Sequence, residues 1–422
     1  STRSGISTFN TLRFVNFGNS ASWRSNMDVQ KESHLQIKKM KLIIVVNELW
    51  FFLSHRLPIA LAARDAGYEV HIASRSGTSS EIKQLNQELL QFHPISFRRS
   101  STGLWQELKT LNELHRLYKE IQPDIVHHVT IKPVLYGTLA ARWVGGIQIL
   151  NAISGLGYLF IAQGWKSSIR QKILLWGYRA ILHSKKVWIL FQNPDDQALF
   201  AQHKIIHPQH ISIIKGSGVD LQQFAFSAIP KGKIKIILVA RMLWDKGVGE
   251  FVKAATVLKQ QGVDADFLLV GSVDLGNPKS ISIEQLEQWS KSGVVKWLGE
   301  RADIPQLVAK SHIAVLPSYR EGLPKSLIEA AAVGRPIVTT NVPGCREVVK
   351  EGENGFLVPA RDAKKLAAAI KKLTNNPKLL ITMGKKSRLM AEQEFSIQKV
   401  ISKTLALYSK IGSDPKRDKR AG

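Results

Sequence analysis

Two glutamates, Glu321 and Glu329, bracket the start of an Ala-rich segment that reads EGLPKSLIEAAAVGRPIVTT over residues 321–340. Pro324 suits the first helical position, where its missing N–H would have had no partner, so the helix should begin near Leu323 with Glu321 in the loop ahead of it. At a rise of ~1.5 Å per residue the two Cα atoms stand on the order of 10 Å apart. Carboxylates that act on one bond need their oxygens about 5–9 Å apart and facing one point. A displaced pair fits better to the two ends of an extended ligand. Between them lie the free N–H groups and positive dipole end of the helix, which attract phosphate. The competing reading is a solvated helix start in which Lys325 and Glu329 form an i,i+4 pair.

A second constellation precedes it. Arg241 follows the apolar run KIILVA at 235–240, and Lys246 comes five residues later in ARMLWDKGV, before a helical segment. Two cations at a strand-to-helix turn can neutralise a departing diphosphate; solvated loop charges are the alternative. Gly271 closes the run DFLLV and permits close backbone approach. Gly299 and Arg301 of WLGER could form the wall of a base pocket. Neither metal-like cluster persuades: Asp264-Ala265-Asp266 lies ahead of a strand rather than after one, and Pro208 interrupts His203, His207 and His210. No metal and no bound cofactor are expected.

These residues need strands that end beside one another. From Met40 on, short aliphatic runs alternate with helix-length amphipathic segments, which is the pattern of doubly wound parallel sheets in an α/β protein. Expected strands in the first half are 42–46, 69–73, 124–128, 148–151, 187–191 and 211–214. Helices are expected at 54–66, closed by Gly67, and at 104–121, ending before Pro123. The rhythm restarts after Pro230, with strands at 235–240, 266–270, 294–298, 313–316, 336–340 and 356–358. The expected division is therefore a domain at 40–225 and another at 226–411, whose last helix can cross back to the first. Ligands of such sheets bind beyond the carboxyl ends of the strands, so two facing domains would share one cleft. Residues 1–39 are expected to be a disordered extension or mis-started reading frame rather than a targeting signal, and 412–422 a disordered basic tail.

The 422 residues, 44% of them hydrophobic, are ample for two ordinary cores. A single cysteine, Cys345, excludes an intrachain disulfide and a cysteine-based zinc cluster. The formal charge is +26, and no Asp or Glu occurs between Asp124 and Asp195. The centre of that stretch, GWKSSIRQKILLWGYRAILHSKK, mixes cations with Trp165, Trp176 and Tyr178. Such a segment can lie on anionic lipid, each exposed cation contributing about 1 kcal/mol. An anionic membrane surface is the expected partner and nucleic acid is not.

Taken together, ARMLWDKGV, the GVD of GSGVDLQQF, the E-x7-E segment and PGCREVVKEGENGFLVP resemble the retaining GT-B glycosyltransferases called glycosyl transferases group 1, over residues 40–409. The resemblance implies two Rossmann-like domains facing a cleft, with Arg241 and Lys246 on the diphosphate of a nucleotide-sugar. It puts Glu329 on the ribose hydroxyls, and Glu321 with the backbone of Gly322 and Leu323 against the donor sugar, beside Pro324. The first half is similar to the branch that assembles capsule, O-antigen and other lipid-linked glycans, through DIVHHVTIKPVLYGTLAARW, NAISGLGYLF and FQNPDD. That similarity adds Lys132, Asn151 and one of the histidines His127 and His128 to the substrate-binding set. Many relatives carry His-x-His where this chain has His127, His128 and Val129. Their Gly-Gly turn is replaced here by NELWFFLSH, whose Asn47 and His55 would face the acceptor.

The implied reaction is retaining transfer of a hexose or N-acetylhexosamine, from a donor expected to be UDP-linked, to a lipid-linked sugar at the cytoplasmic face of the membrane. Two other readings stay open. A UDP-sugar epimerase of the same fold would turn over its nucleotide-sugar without acceptor, and a basic non-catalytic membrane- or nucleic-acid-binding protein would show no thermal shift with UDP.

Overall fold

The computed structural model describes residues 39–98, 103–155 and 165–413. The expected extension, apart from Lys39, most of the expected tail and the second half of NAISGLGYLF lie outside the described residues.

The first half runs β1 (Lys41–Glu48), α1 (Leu49–His55), α2 (Leu57–Asp65), β2 (Glu69–Arg75), α3 (Ser79–Gln87), β3 (Gln91–Pro94) and α4 (Leu104–Ile121). It continues β4 (Ile125–Val129), α5 (Thr138–Val144), β5 (Gln148–Ile153), α6 (Trp165–Leu182), β6 (Val187–Phe191), α7 (Pro194–Gln202) and β7 (Ile211–Ile213). The second half runs β8 (Ile234–Val239), α8 (Val248–Gln260), β9 (Ala265–Val270), α9 (Ile283–Lys291), β10 (Lys296–Trp297), α10 (Ile304–Ala309) and β11 (Ile313–Leu316). It closes with α11 (Lys325–Val333), β12 (Ile337–Thr340), β13 (Gly355–Val358), α12 (Ala363–Thr374), α13 (Pro377–Met390) and α14 (Ile397–Gly412).

The strands form two separate sheets, ordered β3-β2-β1-β4-β5-β6-β7 and β10-β9-β8-β11-β12-β13. Neighbouring strands pair in parallel; in the first sheet Ile43 sits beside Val126 and in the second Ile313 sits beside Ile236. Most strand positions away from the sheet edges are apolar because helices cover both faces of each sheet. Alternation along β1 separates the layers. Ile43 and Val45 pack with Leu114 and Tyr118 of α4, while Leu42, Ile44 and Val46 pack with Phe52 and Ile59.

Helix α14 leaves the second sheet and buries Val400, Leu407, Tyr408 and Ile411 in the first lobe's core. At roughly 1.5–3 kcal/mol per fully buried large apolar side chain, those four residues tie the chain's end firmly to the first lobe.

Several local expectations need correction. The helix expected over 54–66 is two helices, α1 and α2, broken at Arg56 (φ −128°, ψ −18°). Pro58 has no N–H with which to continue α1, and it sits comfortably in the first turn of α2. Gly67 (φ +92°) does close α2, with Gly67 and Tyr68 N–H donating to the carbonyls of Arg64 and Ala63. Pro324 is not the first helical residue; its extended ψ of 115° makes it the N-cap, and its carbonyl accepts from Leu327 and Ile328. Strand β10 is shorter than expected, and the polar edge strand β3 had no apolar run to announce it.

Candidate active site

In both sheets the strand order reverses between two central neighbours, β1 and β4 in one and β8 and β11 in the other. At such a point the connections leave in opposite directions and open a crevice beyond the carboxyl ends of the strands. A cavity of about 920 Å³ lies there, lined from the first sheet by Asn47, Thr130 and Lys132, and from the second by Arg241, Lys246 and Arg320. Each of these residues lies at, or just beyond, the end of β1, β4, β8 or β11. The cleft is thus the joint product of two crevices.

Each expected cation has a carboxylate. Lys246 Nζ lies 2.5 Å from Glu321 Oε1, and Arg241 Nη1 lies 2.6 Å from Asp274 Oδ2. Lys246 ends a short helical turn, Trp244–Lys246, that is closed by Gly247 in the left-handed region (φ +73°). A side chain at Gly247 would place Cβ 2.0 Å from the Pro317 carbonyl oxygen, so only glycine lets this turn lie against the end of β11. The Asp245 carbonyl accepts from Tyr319 N–H at 2.9 Å and from Ser318 Oγ at 3.1 Å, which fixes the turn to the loop that carries Glu321.

Glu329 lies deeper than this lining. Only 8% of it is exposed, and Lys325 Nζ approaches it at 3.2 Å, so the i,i+4 pair considered from sequence is present. Burial raises its carboxyl above the ordinary glutamate value, and Lys325 partly opposes the shift. Lys325 Nζ also donates to Ser54 Oγ of α1 at 3.3 Å, which links this helix start to the first lobe. The neighbouring His55 ring stacks on Phe51 with centroids 4.2 Å apart. Burial first, then the charges of Lys325, Arg56 and Arg241, lower His55 to about 3, so it is neutral at pH 7.

The two lobes meet beside the cleft through a compact polar contact. Arg320 pairs with the fully buried Asp196, and Asn193 Nδ2 donates to the Gly322 carbonyl at 2.8 Å. Gly322 is required by proximity: an added Cβ would lie 2.2 Å from the Ser154 carbonyl oxygen. Leu323, largely buried, packs against Gly216, and Pro324 caps α11.

The histidines and Asn151 do not reach the cleft. His128 is fully buried, with Nδ1 2.8 Å from Asn151 Oδ1 and Nε2 2.9 Å from the Tyr118 hydroxyl. An amide oxygen can only accept, so Nδ1 carries the proton and Nε2 accepts from Tyr118. Burial lowers this imidazole to about 4, and Asn151 is further occupied by Thr138, Nδ2 to Oγ1 at 2.9 Å. His127, equally buried and held well below its ordinary value by burial, meets the Tyr408 hydroxyl of α14 at 2.6 Å. These residues lie within β4 and β5, where core partners engage both ring nitrogens of His128 and Nδ1 of His127, while His127 Nε2 is buried without a hydrogen-bond partner.

Gly271 and Gly299 serve as backbone links: Gly271 N–H donates to the Gly299 carbonyl at 2.8 Å, and Trp297 Nε1 donates to the Gly271 carbonyl at 3.0 Å. Arg301 forms a two-pronged pair with Asp303 at 2.8 Å and is not among the residues lining the cleft. Lys132 lines it while donating to Glu107 at 2.7 Å. The Asp264 and Asp266 carboxylates pair with Lys233 at 3.0 and 3.1 Å, as a connector would.

Sequence reasoning missed Thr130, Asp274 and Arg320. Thr130 holds φ +77°, a costly conformation for a β-branched residue, and its Oγ1, like Asn47 Oδ1, is buried without a hydrogen-bond partner. Both residues line the cleft, so one wall carries two buried polar atoms that the protein itself leaves unsatisfied. Position directly after a central strand was the available signal for Thr130, and VDLGNPKS, a turn-forming loop after β9, was the signal for Asp274. Among the described residues no group of three or more His, Cys, Asp or Glu has a geometry able to hold a metal ion.

Known proteins resemble this chain in sequence and in fold. Residues 220–390 match the family model Glycosyl transferases group 1, and residues 41–189 match Glycosyl transferase 4-like. The N,N'-diacetylbacillosaminyl-diphospho-undecaprenol alpha-1,3-N-acetylgalactosaminyltransferase of Campylobacter jejuni is 30% identical over 85% of this chain and 98% of its own length. The UDP-Gal:alpha-D-GlcNAc-diphosphoundecaprenol alpha-1,3-galactosyltransferase of Escherichia coli is 28% identical over 72% of this chain and 80% of its own. Among solved structures, Anabaena HepE in complex with UDP and glucose superposes with a TM-score of 0.70 at 18% identity, covering 88% of this chain and 99% of that one. A glycosyltransferase from Rickettsia africae gives the same TM-score at 21% identity, covering 89% and 100%. The fold is GT-B.

Proposed function

The chain belongs to the glycosyl transferases group 1 family, and on that premise we propose that it moves a hexose or N-acetylhexosamine from a UDP-sugar to a lipid-linked sugar, with retention at the anomeric carbon, in the assembly of a bacterial surface glycan. The observation that carries this reading is the placement of Arg241 and of Lys246, itself paired with Glu321, on one wall of a cleft whose other wall offers Asn47, Thr130 and Lys132. The activities named for the Campylobacter and Escherichia relatives support a lipid diphosphate-linked acceptor. The UDP complex of the Anabaena neighbour supports the nucleotide.

The chemistry follows from charge. A donor diphosphate beside Arg241 and Lys246 would draw both cations, and negative charge grows on it as the glycosidic bond breaks. Lys246 turning to that phosphate loosens its grip on Glu321, whose carboxylate can then accept hydrogen bonds from the sugar hydroxyls. Glu329 is suited to the ribose hydroxyls, as a buried acceptor one helical turn into α11. The leaving diphosphate itself can take the acceptor's proton on the same face, which gives retention without an enzymic nucleophile. Two cations and a helix start supply the charge that a divalent ion supplies in other transferases, so transfer should survive EDTA.

We infer that the reaction takes place at an anionic membrane surface. Trp105, Trp143, Ile173 and Trp176 are exposed on α4, α5 and α6, and no acidic residue lies between Asp124 and Asp195. Among the described residues no helix is long and apolar enough to cross a membrane. The reaction is tested by incubating the protein with a panel of UDP- and GDP-sugars and a diphosphate-linked N-acetylglucosamine acceptor. Product should form from a UDP-sugar with its anomeric configuration kept. Turnover of UDP-sugar independent of acceptor, or an inverted product, would refute the reading.

A further inference from the structure

Beside the cleft lies a second cavity, of about 860 Å³, lined by Arg75, Ser76, Ser96, Arg98, Gln106 and Lys109 among others, and among the described residues no carboxylate is part of its lining. Arg75 is the last residue of β2, Ser96 and Arg98 follow β3, and Gln106 and Lys109 stand one turn apart on α4. Three cations therefore converge from three separate elements. Their framework is tightly held: Glu113 accepts from Ser96 N–H at 2.7 Å and from its hydroxyl at 2.9 Å, and Gln106 Nε2 donates to the Ser96 carbonyl at 3.1 Å. The nearest carboxylates engage the cations only at longer range. Glu48 stands 3.5 Å from Arg75 and Glu113 stands 3.9 Å from Lys109, leaving both cations with more than half of their side-chain surface in solvent.

This cavity and the cleft share two wall residues, Arg98 and Gly276, so they adjoin. On α4, beside Gln106 and Lys109, stand Trp105 at 85% exposure and Leu108 at 46%, which is an unusual amount of apolar surface next to a cationic cavity. A ligand with a hydrocarbon tail, a doubly charged anion and a sugar, in that order, matches the sequence of apolar row, cation cluster and cleft.

We propose that the cavity formed by Arg75, Arg98 and Lys109 binds the diphosphate of a polyprenyl-diphosphate-linked acceptor, holding it so that its sugar crosses Arg98 into the cleft. This rests on the lipid-linked acceptor of the proposed reaction. Guanidinium groups match phosphate oxygens two at a time, and cations from different elements can follow a diphosphate along its length.

The test is a titration with N-acetylglucosamine joined through diphosphate to a phenoxyundecyl chain, alongside the same sugar and chain joined without the diphosphate. The wild-type protein should bind the diphosphate probe about tenfold or more tightly than the plain glycoside. The double variant Arg75→Glu, Lys109→Glu should lose that preference and keep its affinity for UDP. Equal binding of the two probes by wild type, a preference that survives in the double variant, or a loss of UDP affinity there would overturn the proposal; the last would assign the cavity to the donor. The underlying reaction can fail separately. Wild-type protein that prefers the diphosphate probe yet transfers no sugar to it would refute the reaction and leave this site standing.

Discussion

Polar residues near the centre of the two sheets meet opposite fates. In the second lobe Arg241, Lys246 and Glu321 lie on loops beyond β8 and β11, where two of them line the cleft and the third pairs with Lys246 on the same wall. In the first lobe His127, His128 and Asn151 lie within β4 and β5, completely buried, with hydrogen bonds to Tyr408, Tyr118 and Thr138. A displacement of a few residues along a strand, about 3.3 Å each, separates a group that can meet a ligand from one that holds the core together. Thr130, only two residues beyond His128, is already on the cleft wall.

The contrast breaks most visibly in turnover. Lys246→Ala should lower kcat/KM by about 10²–10³-fold, the scale of losing a charge aimed at a developing anion, and Glu321→Ala should lower it as well by removing the acceptor for the sugar hydroxyls, while melting temperature moves little in either. A collapse of melting temperature that accounts for the lost activity would place the pair in the fold instead. His128→Ala should do the reverse. It leaves the Tyr118 hydroxyl and Asn151 without their partner and opens a cavity, costing about 2–4 kcal/mol in urea unfolding. Its turnover per folded molecule should fall far less than that of Lys246→Ala, and a stable but inactive His128→Ala protein would put this histidine back at the donor.

Proton linkage sharpens the same division. Burial keeps His127, His128 and His55 neutral in the folded protein well below the ordinary histidine value of 6.5. Unfolded chains bind those protons as pH falls through about 6.5, the folded protein does not, and stability therefore drops between roughly pH 6.5 and 4. The raised Glu329 carboxyl works the other way, taking up its proton earlier in the folded state. Urea midpoints at pH 7.5, 6 and 5 should decline, and less steeply in His128→Gln; a flat profile would mean that these rings are not sealed from solvent. The smallest effect is expected at Arg301, whose pair with Asp303 is exposed to solvent and screened by it. Arg301→Ala should leave UDP affinity within about twofold, because the residue does not line the cleft.

Sheet-forming runs were legible because parallel strands covered on both faces must be apolar along their whole length, as VWILF of β6 is. The edge strand QFHP of β3 carries no such signature. Local rules also located Gly67 at the end of α2. They erred by one residue at Pro324, since proline serves an N-cap and a first turn alike, and they overlooked the break that Pro58 imposes. Loop residues of the second lobe were readable from type and order, whereas the direction a histidine faces depends on which helix covers its side of the sheet. Long-range partners were not readable at all. Asp196 meets Arg320 across 124 positions of chain, and Tyr408 reaches His127 across 281.

The most direct test of the account is calorimetric titration of UDP into the wild-type protein and into the double variant Arg241→Ala, Lys246→Ala. The account predicts saturable binding by wild type and a loss of about tenfold or more in affinity in a variant whose melting temperature is unchanged. Equal UDP affinity in the two proteins would show that the diphosphate is held elsewhere and would contradict the assignment of this cleft.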